Sequence, residues 1–452
     1  MDVSPLFVTG AQFIADGGCS IRANSIKEMA EASFGVGAVP SHSTTTKEVV
    51  WPNSLPLFGP RHSVPPRRRV VVSRFLSDEQ RQIQQASRAF ARKEIRPRRL
   101  EAYQGDEFII EMARRCGQLG MWRTLVPESR GGLGHGATTA CVIFEELGRE
   151  SPGVAIAGIP QMVFAPVMLL SEAISDRYLE KVISGQFMIA GAFSDPAGVA
   201  NYAEQSDIAV RDGDDYVLNG TRLWVTQGTF YDVMGIAGLF DGSQRLFYVE
   251  RGHPGVAVSA IPKMGFGAPW GLVTMTNCRV PAEMSVDLGF MVTDRQIQDV
   301  DGNATASVLF ASAIALGLAT GAYEQTVEFL CHRTSNRRPI ASMQAIQHKL
   351  VRMRSQLEAS RSVLYDAARL RDEGRPDSAL EHMVKPWVTE MAAAVTQECV
   401  TLHGGAGYAF ETGLEGLHRD AVGGLIIEGT TDMHHSTVAH LLGLPDAAIG
   451  IF

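Results

Sequence analysis

The chain has no paired cysteines. Its six, Cys19, Cys116, Cys141, Cys278, Cys331 and Cys399, lie far apart and none forms a C-x-x-C. Neither a disulfide framework nor a zinc site is suggested. The pattern reads as reduced, packing cysteines in a reducing compartment, the cytoplasm, or the mitochondrial matrix in a eukaryote. Excess positive charge is also missing. A net charge of −8 argues against a nucleic-acid binder, which carries a basic footprint. Uninterrupted apolar runs are scarce. Ser151 to Ser171 carries no charge and is long enough to raise a membrane span. Pro152, Pro160 and Pro166 cut it, and Gly153, Gly158 and Gln161 dilute it. It reads as a buried, broken helix, and no membrane span is expected.

What the chain does contain is an ordinary globular balance, 45% hydrophobic and 20% charged over 452 residues. That is core enough for two or three domains. Residues 1–72 differ from the rest. They are rich in Ser, Thr, Gly and Pro, end in Pro65-Pro66-Arg67-Arg68-Arg69 and lack a sustained period, so a poorly ordered extension is expected. Val8-Thr9-Gly10-Ala11 with Ala15-Asp16-Gly17-Gly18 resembles the last strand of a short-chain dehydrogenase. The phosphate-binding glycine loop is missing, so no cofactor site is expected there. A transit peptide fits less well, since Asp2 and Asp16 precede the first arginine, Arg22.

From Ser77 the pattern turns helical. Ser77 and Gln80 form a capping box, and Ile83, Ala86, Phe90 and Ile95 recur at helical spacing. Residues 73–186 read as an N-terminal helical domain. Residues 187–290 read as a middle β domain of short runs: Ile208–Val210, Tyr216–Leu218, Thr221–Thr226, Leu246–Val249 and Val256–Val258. Asn219-Gly220 signals a two-residue hairpin, whose turn needs positive φ. Residues 291–452 are helical again. Ile346, Leu350, Met353, Leu357 and Leu364 mark one apolar stripe, stopped by Gly374-Arg375-Pro376. Ser378 and Glu381 suggest a second capping box, Pro386 a kink, and Gly404-Gly405 a helix end. Long helices with short connections suggest a four-helix bundle. The fold class expected is mainly α with a central β domain.

Near the C-terminus stands Leu425-Ile426-Ile427-Glu428-Gly429-Thr430-Thr431. A lone carboxylate after three large apolar residues suits a base, because desolvation raises its pKa. On its own the segment is equally a glutamate at the end of an element. It resembles the I-Y-E-G-T of the acyl-CoA dehydrogenase family, and other segments follow that family in order. They are Leu125-Val126-Pro127-Glu128 with Gly131-Gly132-Leu133-Gly134; Tyr216 to Gly220 with Leu223-Trp224-Val225-Thr226; Arg279-Val280-Pro281; Gln344-Ala345-Ile346-Gln347; and His403-Gly404-Gly405-Ala406-Gly407-Tyr408. The resemblance spans about residues 75–445 and implies a β-barrel-like middle domain before the bundle.

The resemblance also implies chemistry. An acyl thioester would lose its α-proton to Glu428 and a β-hydride to FAD, since no side chain accepts a hydride. The Glu428 backbone N–H would bind the substrate carbonyl. Trp224 and Thr226 match residues beside the flavin ring, and Ser194-Asp195-Pro196 matches a T-E-P whose first residue contacts it. Gly404, Gly405 and Gly407 match the glycine run along the dinucleotide, with Thr401 and Thr430 flanking the matched segments as cofactor contacts. Arg333 matches an arginine given to the FAD of a neighbouring subunit, implying a homodimer or homotetramer. An electron-transfer flavoprotein would take the electrons. A metal site is not implied.

Four departures stand out. After Arg333 the family's x-x-F-G is replaced by Ser335-Asn336-Arg337-Arg338, and its G-S-D by Val199-Ala200-Asn201. Thr401 replaces a glutamine. Val308 stands where the family carries a substrate-binding arginine, so a carrier-protein thioester is as open as a coenzyme A thioester. An acyl-CoA oxidase, a flavin monooxygenase on the same fold and a flavin-less binding protein are the alternatives. Glu428 counts against the monooxygenase. If the base sat on the first bundle helix instead, Glu324 or Glu328 would carry it.

Overall fold

Ser77 begins the first described helix as its sequence predicts. Its side chain accepts from Gln80 N, and Gln80 reaches back to Ser77 N, closing the capping box of α1 (Asp78–Phe90). The computed structural model describes residues 76–196, 207–265, 268–288 and 306–445, with the backbone of short strands at 292–293 and 296–297. The expected extension over residues 1–72 and the Val199–Asn201 departure lie outside the described residues. Phe90 and Ile95 are buried and Ile83 packs against the core, but Ala86 is exposed. Ser87 takes the inward place, because 83, 87 and 90 stand at i, i+4 and i+7.

The longer helices that follow are α2 (Glu107–Gln118), α3 (Ala137–Gly148) and α4 (Pro152–Met168). Ser151 caps α4 and Pro152 opens it, where no N–H is needed. The helix is buried as expected but not broken: Pro160 and Pro166 lie inside it. Tight packing holds it through the prolines. A Cβ on Gly158 would lie 2.3 Å from the Trp122 ring, and the Gln161 amide donates to Val182 O and Phe187 O.

The middle region is one eight-stranded sheet. Its strands are β1 (Ile189–Ala192), β2 (Ala209–Asp212), β3 (Asp215–Thr226), β4 (Val233–Phe240), β5 (Ser243–Glu250), β6 (Val256–Ala260), β7 (Trp270–Pro281) and β8 (Ser285–Asp287). Their order is β6-β7-β3-β1-β4-β5-β8, with β2 on β3. Asn219-Gly220 is not a hairpin turn. β3 runs straight through it as a register shift against β7, with Gly220 at φ 148°. The Asn219 amide oxygen accepts from Asn277 N on β7, so long-range pairing outweighs the local turn signal. The turn lies earlier, where Gly213 at φ 61° joins β2 to β3.

The C-terminal helices are α5 (Ala306–His332), α6 (Gln344–Asp372), α7 (Ser378–His403), α8 (Leu414–Gly424) and α9 (Thr431–Leu441). α5 is long and apolar enough to cross a membrane, but 89% of its most apolar window is buried inside the protein. Gly317 and Gly321 let α3 lie directly on it; a Cβ at either would come within 2.2 Å of Glu145 O or Arg149 O. The α6 stripe packs inward as expected, and Gly374 at φ 68° follows its end. Asp377, not Ser378, caps α7 by accepting from Leu380 N. Glu381 is drawn instead into a buried ion pair with Arg371. α7 continues through Pro386 and stops at Gly404, φ 60°.

Candidate active site

Helix α8 runs out at Gly424, and a six-residue loop carries the chain to α9. Glu428 adopts φ 52° and Gly429 φ 92°. A left-handed glutamate is uncommon and costs free energy, which marks the position as held for a purpose. Ser307, at the start of α5, donates to Glu428 Oε2 at 2.7 Å. The Glu428 backbone N–H has no hydrogen-bond partner among the described residues. The residue is accessible from the surface, although protein crowds its carboxylate on most sides. Burial raises the Glu428 pKa above the usual carboxylate value, and the Ser307 hydrogen bond and Lys385 partly offset this. Thr430 caps α9, accepting from Met433 N.

The expected cofactor residues sit on two elements. Trp224 and Thr226 end β3, and Thr226 pairs with Trp270 of β7. Trp224 is 49% exposed at φ 52° and meets Trp270 edge-on, with centroids 5.8 Å apart. A core aromatic would be covered. This one leaves a broad face open because the register slips between Arg222 and Val225. The Thr226 hydroxyl has no partner among the described residues. Ser194 bridges Leu223, and its neighbour Asp195 is buried against Arg222 at 3.0 Å. Ser-Asp-Pro is therefore no ordinary turn: the ion pair clamps it to β3.

At the end of α7, Gly404 and Gly405 are exposed, and a Cβ on either would meet nothing within 4 Å. Gly404 is required by its φ of 60°, and Gly407 by close packing, since a Cβ there would lie 2.3 Å from Val400 O. Thr401 is exposed, its hydroxyl donating to Gln397 O. Arg333 is exposed just after α5, with no side-chain partner among the described residues. The altered segment after it is a hairpin, Thr334–Ser335 against Arg338–Pro339, with Asn336 and Arg337 both at positive φ. These features suit a flat dinucleotide cofactor: an open aromatic face, a hydroxyl beside it and bare backbone at a bend. Arg419 of α8 donates to Met264 O in the loop leading into Trp270, tying the Trp224–Trp270 end of the sheet to the segment that carries Glu428.

The fallback bases are elsewhere. Glu324 is bound by Arg88 and Arg149 in a charge network, and Glu328 faces Arg96. Val308 is buried and offers no charge. The residue before it, Ser307, was not singled out by the sequence reading. Its only signal there was adjacency to the position that lacks the arginine.

Two domain models of one family match the chain: acyl-CoA dehydrogenase N-terminal domain over residues 77–186 and C-terminal domain over residues 308–443. The cyclohex-1-ene-1-carbonyl-CoA dehydrogenase of Geobacter metallireducens is 30% identical over 381 residues, covering 82% of this chain and 99% of that protein. Butyryl-CoA dehydrogenase from Megasphaera elsdenii superposes with a TM-score of 0.74 at 26% identity, covering 81% of this chain and 98% of that one. A glutaryl-CoA dehydrogenase from Mycobacterium smegmatis in complex with FADH2 shares the fold at a TM-score of 0.75 and 23% identity, over 83% and 97% of the two chains. The chain belongs to the acyl-CoA dehydrogenase family. These are FAD-dependent oxidoreductases acting on CH–CH bonds.

Proposed function

We propose that the protein converts an acyl thioester to its α,β-unsaturated form, with Glu428 removing the α-proton. Trp224, Thr226, Ser194 and the bare backbone of Gly404 and Gly405 would hold FAD, with Thr401 and Thr430 beside them. FAD supplies the acceptor for the β-hydride. The observation that carries this reading is Glu428 itself. Its left-handed backbone presents a carboxylate of raised pKa, held by Ser307, and leaves its own N–H unpaired among the described residues. That N–H can donate to the thioester carbonyl, where negative charge grows as the α-proton leaves. Ser307 holds the carboxylate meanwhile. Val308 gives the substrate no cation, so recognition of the thioester's carrier falls to other groups. Electrons would leave through an electron-transfer flavoprotein. Arg333 would reach the cofactor of a second copy in a homodimer or homotetramer.

The test is product analysis. The flavin-loaded enzyme is incubated with an electron acceptor and a panel of acyl-CoA and acyl-carrier thioesters. A two-hydrogen mass loss in at least one thioester is expected. Incorporation of oxygen into the product, with no unsaturated thioester, would contradict the reading.

A further inference from the structure

Beneath the Glu428 loop lies a buried group of basic side chains that the reaction itself does not use. Lys385 of α7 is fully buried. Its Nζ donates to Leu425 O at 3.0 Å and Gly429 O at 2.6 Å. His434 of α9 is also fully buried, with Nε2 2.9 Å from Glu428 O. A carbonyl only accepts, so Nε2 carries the proton. His434 Nδ1 lies 2.7 Å from Nδ1 of His382, one turn before Lys385 on α7. One of these nitrogens must donate and the other accept; with His434 neutral, His382 is the donor. Three carbonyls of the loop, at 425, 428 and 429, are therefore held by two side chains on two helices.

The loop needs holding. Glu428 and Gly429 both have positive φ. A Cβ on Gly429 would lie 2.1 Å from Met433 Cε and 3.1 Å from His434 Nε2. The loop is thus packed directly onto the histidine that binds it. Turning the peptide between 428 and 429 would break the bond to His434, while Lys385 holds the carbonyls of Leu425 and Gly429 on either side of Glu428.

We propose that Lys385 and His434, braced by His382, are positioning residues that fix the left-handed backbone of Glu428 and so aim its carboxylate. This rests on Glu428 being the base. Lys385 has a second effect through charge, since it lowers the Glu428 pKa. The titratable groups facing Lys385 are Glu428 and Glu390; those facing His434 are His382, Lys385 and His435. Burial pushes the Lys385 pKa down to about 8 and that of His434 to about 3, so near neutrality the first is charged and the second neutral, as the contacts require.

The experiment is anaerobic flavin reduction by a thioester substrate across pH, in holoenzyme carrying Lys385→Met, Lys385→Arg, His434→Leu or His434→Gln. A misplaced base costs about 10²-fold in rate. Lys385→Met and His434→Leu should slow reduction by about that factor while FAD content and thioester affinity stay near wild type. His434→Gln, which keeps a donor for Glu428 O, should recover most of the rate. Lys385→Met should also move the acidic limb to higher pH and Lys385→Arg should not, a signature that mere structural support would lack. If Lys385→Met fails to fold, the His434 pair decides. Wild-type rates in His434→Leu, or equal losses in His434→Leu and His434→Gln, would overturn the proposal. Failure of the parent reading shows separately, as full-speed reduction in Glu428→Gln.

Discussion

At the scale of single residues, the site turns on what sets the pKa of one carboxylate. Burial raises the Glu428 pKa, and the Ser307 hydrogen bond works against that. Removing the hydroxyl leaves the raising effect unopposed except by Lys385. Ser307→Ala should therefore raise the pKa further, so the base is protonated up to a higher pH. The acidic limb of the pH–rate profile for flavin reduction should move to higher pH, with the plateau little changed. An unmoved limb would remove Ser307 from the account. Glu428 was singled out because its segment matches the family's I-Y-E-G-T, a match carried by residues adjacent in sequence. Ser307 acts across 121 positions, and no local pattern reports such a contact. Trp224 was legible by its motif, but its positive φ and open face arise from a register slip against β7 that the β3 sequence does not contain.

At the scale of elements, α3 and α6 are locked by a charge buried in the interface. Glu145 on α3 accepts from Arg361 at 2.9 Å, Arg149 at 2.8 Å and Tyr365 at 2.9 Å, all nearly or fully buried. Burial alone would raise the Glu145 pKa, but Arg361 and Arg149 hold it at about 2, below its ordinary 4.5. A carboxylate with a depressed folded pKa contributes stability above about pH 4.5 that is lost as pH falls toward 2. Arg361→Met should cost about 3 kcal/mol, because it strips a partner from a buried charge. It should also move acid unfolding to higher pH, as the Glu145 pKa rises. Urea melts at pH 7 and pH 4 check both; a cost under about 1 kcal/mol, the range of an exposed pair, would contradict the burial argument. Elements with strong local signals were readable: the α1 capping box and the α6 stripe formed as expected. The Asn219-Gly220 hairpin and the Ser378 cap did not. In both, a partner on another element, Asn277 of β7 for one and Arg371 of α6 for the other, supplied a competing contact.

At the scale of the whole molecule, helices at both ends of the chain flank one sheet. The glycines of α5 and the loop over α8 bind these parts together. That order was legible because the period of the apolar residues changes along the chain. The unbroken course of α4 was not, since prolines mark a break unless packing prevents it. Arg333 belongs to this scale. It is exposed and has no side-chain partner among the described residues, just after α5. If a second copy's cofactor takes it up, Arg333→Ala should lower FAD affinity by about 10-fold or more, as lost charge-assisted hydrogen bonds do. Sedimentation with flavin titration checks this; a flavin-loaded monomer of undiminished affinity would contradict it.

The central claim is that this fold exists to bring Glu428 to the α-carbon of a thioester. Its most direct test is rapid mixing, without oxygen, of flavin-loaded enzyme with a thioester that bleaches the wild-type flavin, comparing wild type with Glu428→Gln. The amide keeps the shape but cannot take a proton. The account predicts unchanged flavin content and thioester binding, with bleaching slowed at least about 10²–10⁴-fold. Bleaching of Glu428→Gln at the wild-type rate would contradict it.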